Sequence, residues 1–150
     1  AWFVSNGLSF YKDFLGTYTP FLRVTMIPLH NFFGFTHETT IGLYLVTPER
    51  SRELNKQHRQ KDKSTDVLSF PLDEHGFEKY DILPLGDIFI CLKIAQQQAD
   101  EMNIPLNQEL ARLVVHGLLH LLGYDHEKSP EDEHKMVELQ EEILATISKS

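Results

Sequence analysis

The stretch Val114–His126, VVHGLLHLLGYDH, is apolar apart from three histidines, and it leaves the chain few ways to fold. Residues four apart share a helix face, so His116 and His120 point the same way. Leucine and valine cover most of the other sides, so the helix is expected to be buried nearly all round. Two imidazoles inside an apolar shell need partners, and a shared cation satisfies both. Gly123 then ends the helix, because the left-handed conformation just past a last turn suits glycine. The reversal brings His126 back toward the first two histidines. Three nitrogen donors with one open position form the donor set of a catalytic zinc site, whereas a structural zinc is closed by four ligands. His116, His120 and His126 are therefore the candidate metal ligands. His30, His37, His58, His75 and His134 have no such company and read as ordinary, with His58 raised slightly by its basic neighbours.

The spacing H-x-x-x-H-x-x-G-x-x-H is also the ligand pattern of metzincin peptidases, which place a glutamate general base after the first histidine. This chain has Gly117 there. A peptidase of that mechanism is thus disfavoured by the motif that suggests it.

The rest of the chain reads as strands interleaved with helices. Leu8, Tyr11 and Leu15 fall at helical spacing and predict a helix near 7–16. Phe21 to Ile27 alternates like a strand, and the stretch from Pro28 to Thr39 shows no clear period. Ile41 to Val46 reads as a buried strand, followed by a helix start at Thr47-Pro48-Glu49 that should run to about His58. Val67 to Pro71 is a short strand that its proline puts at an edge or an end. Gly86 to Cys91 is another strand. Ile94, Ala95, Gln98, Ala99 and Met102 form one helical face. Asn107 is the expected cap of the histidine helix, with Leu106 and Ala111 as a weak staple. Ser129-Pro130 opens a last helix with Met136, Leu139, Ile143 and Ile147 inside. A length of 150 residues suits one domain, 1–150, with a small mixed sheet covered by helices.

Net charge is −8, which argues against general coating of nucleic acid. The charge is uneven. Arg50 to Lys63 holds six Lys/Arg against Glu53 and Asp62, and Asp125 to Glu142 holds eight acids against Lys128 and Lys135. Such runs are commonly solvated helix faces; the sharper reading is one basic face for an anionic ligand. Arg59, Lys61 and Lys63 cluster just past the basic helix, and an arginine fork matches phosphate oxygens. Thr65 and Asp66 read as turn-makers. Asp87 reads as a turn residue or as an acceptor for a histidine N–H. A single cysteine, Cys91, forbids an internal disulfide and suits a reducing compartment. No apolar run reaches bilayer length and no secretory leader pattern is present.

The segments ELNKQHRQKDKSTDVLSFP, LGDIFI, VVHGLLHLLGYDH and EDEHKMVELQEEIL, in this order from Glu53 to Leu144, resemble the YbeY-type endoribonucleases, the bacterial rRNA maturation factors. The resemblance implies an α+β, zincin-like single domain. It implies one Zn2+ per chain on His116, His120 and His126, and a functionally important Arg59 near the metal. Single-stranded RNA is the implied substrate, in 16S rRNA 3′ end processing and ribosome quality control. The implied partners are the ribosomal small subunit and assembly factors, in the cytoplasm and away from membranes. Two positions depart from the family pattern: Gln60 where glycine is usual, and Ser64 where proline is usual.

The expectation is therefore a metal-dependent endoribonuclease, with Arg59 stabilising charge on the phosphate and Arg59, Lys61 and Lys63 binding substrate. The alternatives are a zincin-like metallopeptidase and a non-catalytic ribosome-assembly factor with a structural metal.

Overall fold

The computed structural model describes the backbone of residues 2–5, 8–13, 21–25, 38–72, 82–124 and 129–148, and the side chains of 41–72, 85–124 and 129–145. Six strands, β1 (Trp2–Ser5), β2 (Leu8–Asp13), β3 (Phe21–Thr25), β4 (Glu38–Val46), β5 (Val67–Pro71) and β6 (Ile82–Cys91), form one sheet in the order β1-β2-β3-β4-β6-β5. β4 and β6 run parallel, and every other neighbouring pair runs antiparallel. The helices are α1 (Pro48–Arg59), α2 (Leu92–Met102), α3 (Leu106–Leu121) and α4 (Pro130–Ser148). This is the expected α+β arrangement of a mixed sheet and helices.

The core lies on one face of the sheet. Ile41, Leu43, Ile88 and Ile90 alternate inward, as a half-buried strand requires, and they meet Leu113, Val114, Val115, Leu118 and Leu119 of α3. α4 closes the other side of α3 with Met136 and Ile143. α3 is thus wrapped by sheet and helix, as its nearly continuous apolar sequence demands. α1 lies on the opposite face. Its His58 ring meets Phe70 edge-on at 4.8 Å, and Phe70 is one residue out of step with Ser69, which bonds to α3.

Local signals explain most element ends. Thr47 Oγ1 accepts from the Arg50 N–H at 3.2 Å, with Pro48 at the first helical position. Ser129 Oγ accepts from the Asp132 N–H at 3.1 Å to start α4.

Five expectations need correction. Of the expected helix near 7–16, residues 8–13 form strand β2. Leu8, Tyr11 and Leu15 satisfy a helical period, but Phe10 pairs with Phe3 on one side and Val24 on the other, and two ladders outweigh a short periodic signal. Asn107 is inside α3; the cap is Pro105, with no side-chain bond, so the Leu106–Ala111 staple has no cap to flank. Met102 is exposed at the end of α2 instead of completing its inner face. β4 and β6 begin three and four residues earlier than the sequence suggests, since pairing with each other extends both. Asp87 sits within β6 and not in a turn. Neighbouring Ile88 faces α3, so Asp87 is on the side away from the histidines and serves neither. Most of the unassigned stretch 28–39 and the side chain of Ile147 lie outside the described residues.

Candidate metal centre

α3 brings the two histidines to one place. His116 and His120 face each other with Nε2 atoms 3.2 Å apart and ring centroids 4.8 Å apart. Ligand nitrogens about 2.0–2.1 Å from a tetrahedral zinc stand roughly 3.3–3.4 Å from each other, so the pair fits an ion of that class. His116 is also oriented from behind. Its Nδ1 lies 3.0 Å from Gln140 Oε1, an acceptor only, so Nδ1 carries the proton and donates, and the Nε2 lone pair is directed at His120. Gln140 on α4 is thus the acceptor for the histidine N–H, the role for which the sequence offers Asp87. Its signal was present: Met136, Gln140 and Ile143 share one face of α4, and a buried glutamine among apolar residues has a reason to be there.

The helix ends as its glycine requires. Gly123 has φ +96°, its N–H donates to the His120 carbonyl at 3.0 Å, and the Tyr124 N–H donates to the Leu119 carbonyl at 3.0 Å. This is the paired hydrogen-bond closure of a left-handed helix end. The helix thus ends at the glycine where the sequence expects the chain to turn. His126 itself lies outside the described residues.

Gly117 is a close approach. A Cβ there would stand 2.9 Å from Ser69 Oγ and 3.0 Å from Ile88 Cγ2, and Ser69 Oγ donates to the Gly117 carbonyl at 3.1 Å. The position where a metzincin carries its base is pressed against the sheet, so a side chain there has to displace Ser69 Oγ and Ile88.

A cleft of about 670 Å³ opens beside the histidines. It is lined by His116, His120 and Arg112 of α3, by Val67, Ser69, Phe70 and Pro71 of β5, and by His58, Arg59, Lys61 and Lys63 at and after the end of α1. Arg59 ends α1, and Gln60 follows with φ 58° and ψ 29°, its N–H donating to the Asn55 carbonyl. The loop is pinned back onto α1. Asn55 Nδ2 donates to the Lys63 carbonyl at 2.8 Å, and Ser51 Oγ bonds both the N–H and the carbonyl of Thr65 at 3.0 Å. Arg52 forks onto Asp62 at 2.7 and 3.2 Å. That fork, with Lys56 close by, holds the Asp62 carboxyl below its usual range. The basic stretch therefore divides: Arg50, Arg52 and Lys56 pair with Glu53 and Asp62 on the outside of α1, while Arg59, Lys61 and Lys63 line the cleft.

Sequence reasoning missed Arg112. It stands four residues before His116 and eight before His120, on the same helix face. Its guanidinium is forked onto the fully buried Glu109, with Nε 2.9 Å from Oε2 and Nη2 bonded to Oε1. Hydrogen bonding to Glu109, with the nearby Glu109, Asp66 and Glu141 charges, holds the arginine above its usual range. The i, i+4, i+8 register with the two histidines was the available signal. His134 pairs with Glu138 on the surface of α4 and has no part in the site.

Residues 18–148 match the family model of endoribonuclease YbeY. The endoribonuclease YbeY of Acinetobacter baumannii is 47% identical over 117 residues, which cover 77% of this chain and 74% of the relative. That of Aquifex aeolicus is 48% identical over 110 residues, covering 73% and 71%. Among solved structures, the solution structure of TM1509 from Thermotoga maritima superposes with a TM-score of 0.52 at 33% identity, covering 81% of this chain and 77% of that one.

Proposed function

Because the chain belongs to the endoribonuclease YbeY family, we propose that it cleaves single-stranded RNA, in rRNA maturation at the 16S 3′ end and in ribosome quality control, at a metal centre held by His116, His120 and His126. One observation carries this reading. Two imidazoles converge at 3.2 Å in a cleft that Arg59, Lys61 and Lys63 also line.

The metal we propose is zinc, one ion per chain, since an all-imidazole donor set suits it. When bound, it supplies a Lewis acid against the phosphate or acidifies a water. The chain's own residues do the rest. Gln140 fixes the His116 tautomer. Arg59 offers a planar fork to phosphate oxygens and stabilises the charge that develops there, and Lys61 and Lys63 attract the strand. Ribosomal small-subunit and assembly-factor partners and a cytoplasmic location belong to the same proposal. No helix among the described residues is long and apolar enough to cross a membrane.

The test is metal analysis with cleavage assays on single-stranded RNA, duplex RNA and casein. Wild type should carry one zinc and cut only the single strand. His120→Ala should lose both metal and cleavage with its circular dichroism unchanged. Arg59→Lys should keep the metal and lose much of the activity, because lysine keeps the charge but not the fork. Casein cleavage would favour a peptidase, and metal without any cleavage a structural role. A three-histidine site leaves one coordination position open with no other evident use, so we expect water as nucleophile even without a carboxylate at Gly117, leaving a phosphate on one product and a hydroxyl on the other. A 2′-deoxy sugar at the scissile position should then cost about tenfold at most, the worth of one hydrogen bond. A 2′,3′-cyclic end would show attack by the RNA's own hydroxyl instead.

A further inference from the structure

Among the described residues β5 is the terminal strand of the sheet, and its outer side carries residues that line the cleft. Its hydrogen-bonding phase follows from the two bonds that flank it. The Cys91 N–H donates to the Asp66 carbonyl and the Leu72 N–H to the Leu85 carbonyl, at 2.9 and 3.1 Å. Even-numbered residues therefore address β6, and Val67, Ser69 and Pro71 turn their main-chain groups outward. These are β5 residues that line the cleft.

The outward edge has an uneven chemistry. The Val67 N–H is taken by Asp66 Oδ1 at 2.8 Å, and Pro71 has no N–H. Three carbonyls remain with one donor, the Ser69 N–H. An extended polypeptide adding to this edge would find a complete pair only at Ser69, so the edge is blunted against strand addition. Phosphate oxygens are repelled by carbonyls and have Arg59, Lys61 and Lys63 opposite. The groups that suit a row of acceptors are donors, repeated at the spacing of alternate strand residues, about 6.8 Å. A nucleotide repeat, drawn out, spans a similar distance and carries one hydroxyl donor, the ribose 2′-OH.

We propose that the free edge of β5 reads ribose: the carbonyls of Val67, Ser69 and Pro71 accept hydrogen bonds from successive 2′-hydroxyls of an extended RNA strand. The phosphates of that strand lie toward Arg59, Lys61 and Lys63. The inference rests on the RNA reading of the cleft and adds what selects the substrate. Deoxyribose lacks the donor, and a duplex cannot extend along a strand edge.

The test uses the metal-loaded full chain cleaving a fluorescent single-stranded RNA, with unlabelled decamers of one base sequence as competitors. The decamers carry ribose, 2′-deoxy, 2′-fluoro or 2′-amino sugars. A fluorine at this position does not donate, whereas an amino group does. Each hydrogen bond lost should cost about two- to tenfold, so the deoxy and fluoro decamers should compete at least tenfold more weakly than ribose. The amino decamer should compete within about threefold of it. The carbonyl carbon resonances of Val67, Ser69 and Pro71 should move on adding the amino decamer and stay in place with the fluoro one. A fluoro decamer that competes as well as ribose, or carbonyl resonances unmoved by the amino decamer, would overturn the proposal while leaving the nuclease reading intact. Failure to cleave the ribose substrate at all would overturn both.

Discussion

Gln60 shows how much one backbone angle asks of a residue. It sits at φ 58°, where a side chain costs about 1–2 kcal/mol and glycine costs little. Gln60→Gly should raise stability by about 0.5–1 kcal/mol in urea unfolding, part of the relief being offset by the freer unfolded chain. Gly117 makes the opposite point. A Cβ there meets Ser69 Oγ at 2.9 Å and two carbons of the Ile88 side chain at 3.0 and 3.1 Å. Gly117→Ala should cost about 1–3 kcal/mol by overpacking, read in the same measurement. A metzincin-type base at this position would add its own bulk to that cost.

Two elements meet at the histidines, and their contact sets the metal site's quality. Gln140 of α4 is buried and holds His116 of α3 through Nδ1. Gln140→Leu keeps the volume and removes the acceptor, so metal affinity should fall about 10–100-fold in a chelator competition while the fold persists. β6 carries a second consequence of burial, on the face away from the histidines. Burial holds the Asp87 carboxyl above its usual range. The folded chain therefore keeps this proton to higher pH than the unfolded chain does, and stability falls as pH rises through that window. Asp87→Asn should raise the midpoint of thermal unfolding at pH 7. The gain should shrink as pH falls toward about 3.9, where the unfolded carboxyl also protonates. An equal gain at both pH values would assign the effect to packing.

At the scale of the whole molecule, charge is divided more finely than the total of −8 suggests. The outer cations of α1 are spent on Glu53 and Asp62, and the cleft is lined by Arg59, Lys61 and Lys63. Three phosphate contacts give a log–log salt slope of about −2 for a single strand. Binding of an RNA decamer measured between 50 and 200 mM salt should show that slope, and duplex DNA should bind weakly throughout. A much steeper slope would mean that cations outside the cleft take part.

The sequence by itself determined the parts of this protein that depend on neighbours along the chain. A four-residue interval put His116 and His120 on one face, Gly123 ended α3, Thr47 and Ser129 capped α1 and α4, and Pro71 placed β5 at an edge. Each follows from backbone geometry within a few residues. Only the tertiary structure decided the rest, because those features join residues far apart in sequence. Pairing with β1 and β3 made a strand of residues 8–13 against their helical period. The contact of α3 with β5 and β6 excluded a side chain at Gly117, and the packing of α4 supplied Gln140 as the partner of His116. The phase of β5 against β6 turned the main-chain groups of Val67, Ser69 and Pro71 outward. Local periodicity cannot register such contacts, since a side chain's partner across the fold leaves no mark on the residues beside it.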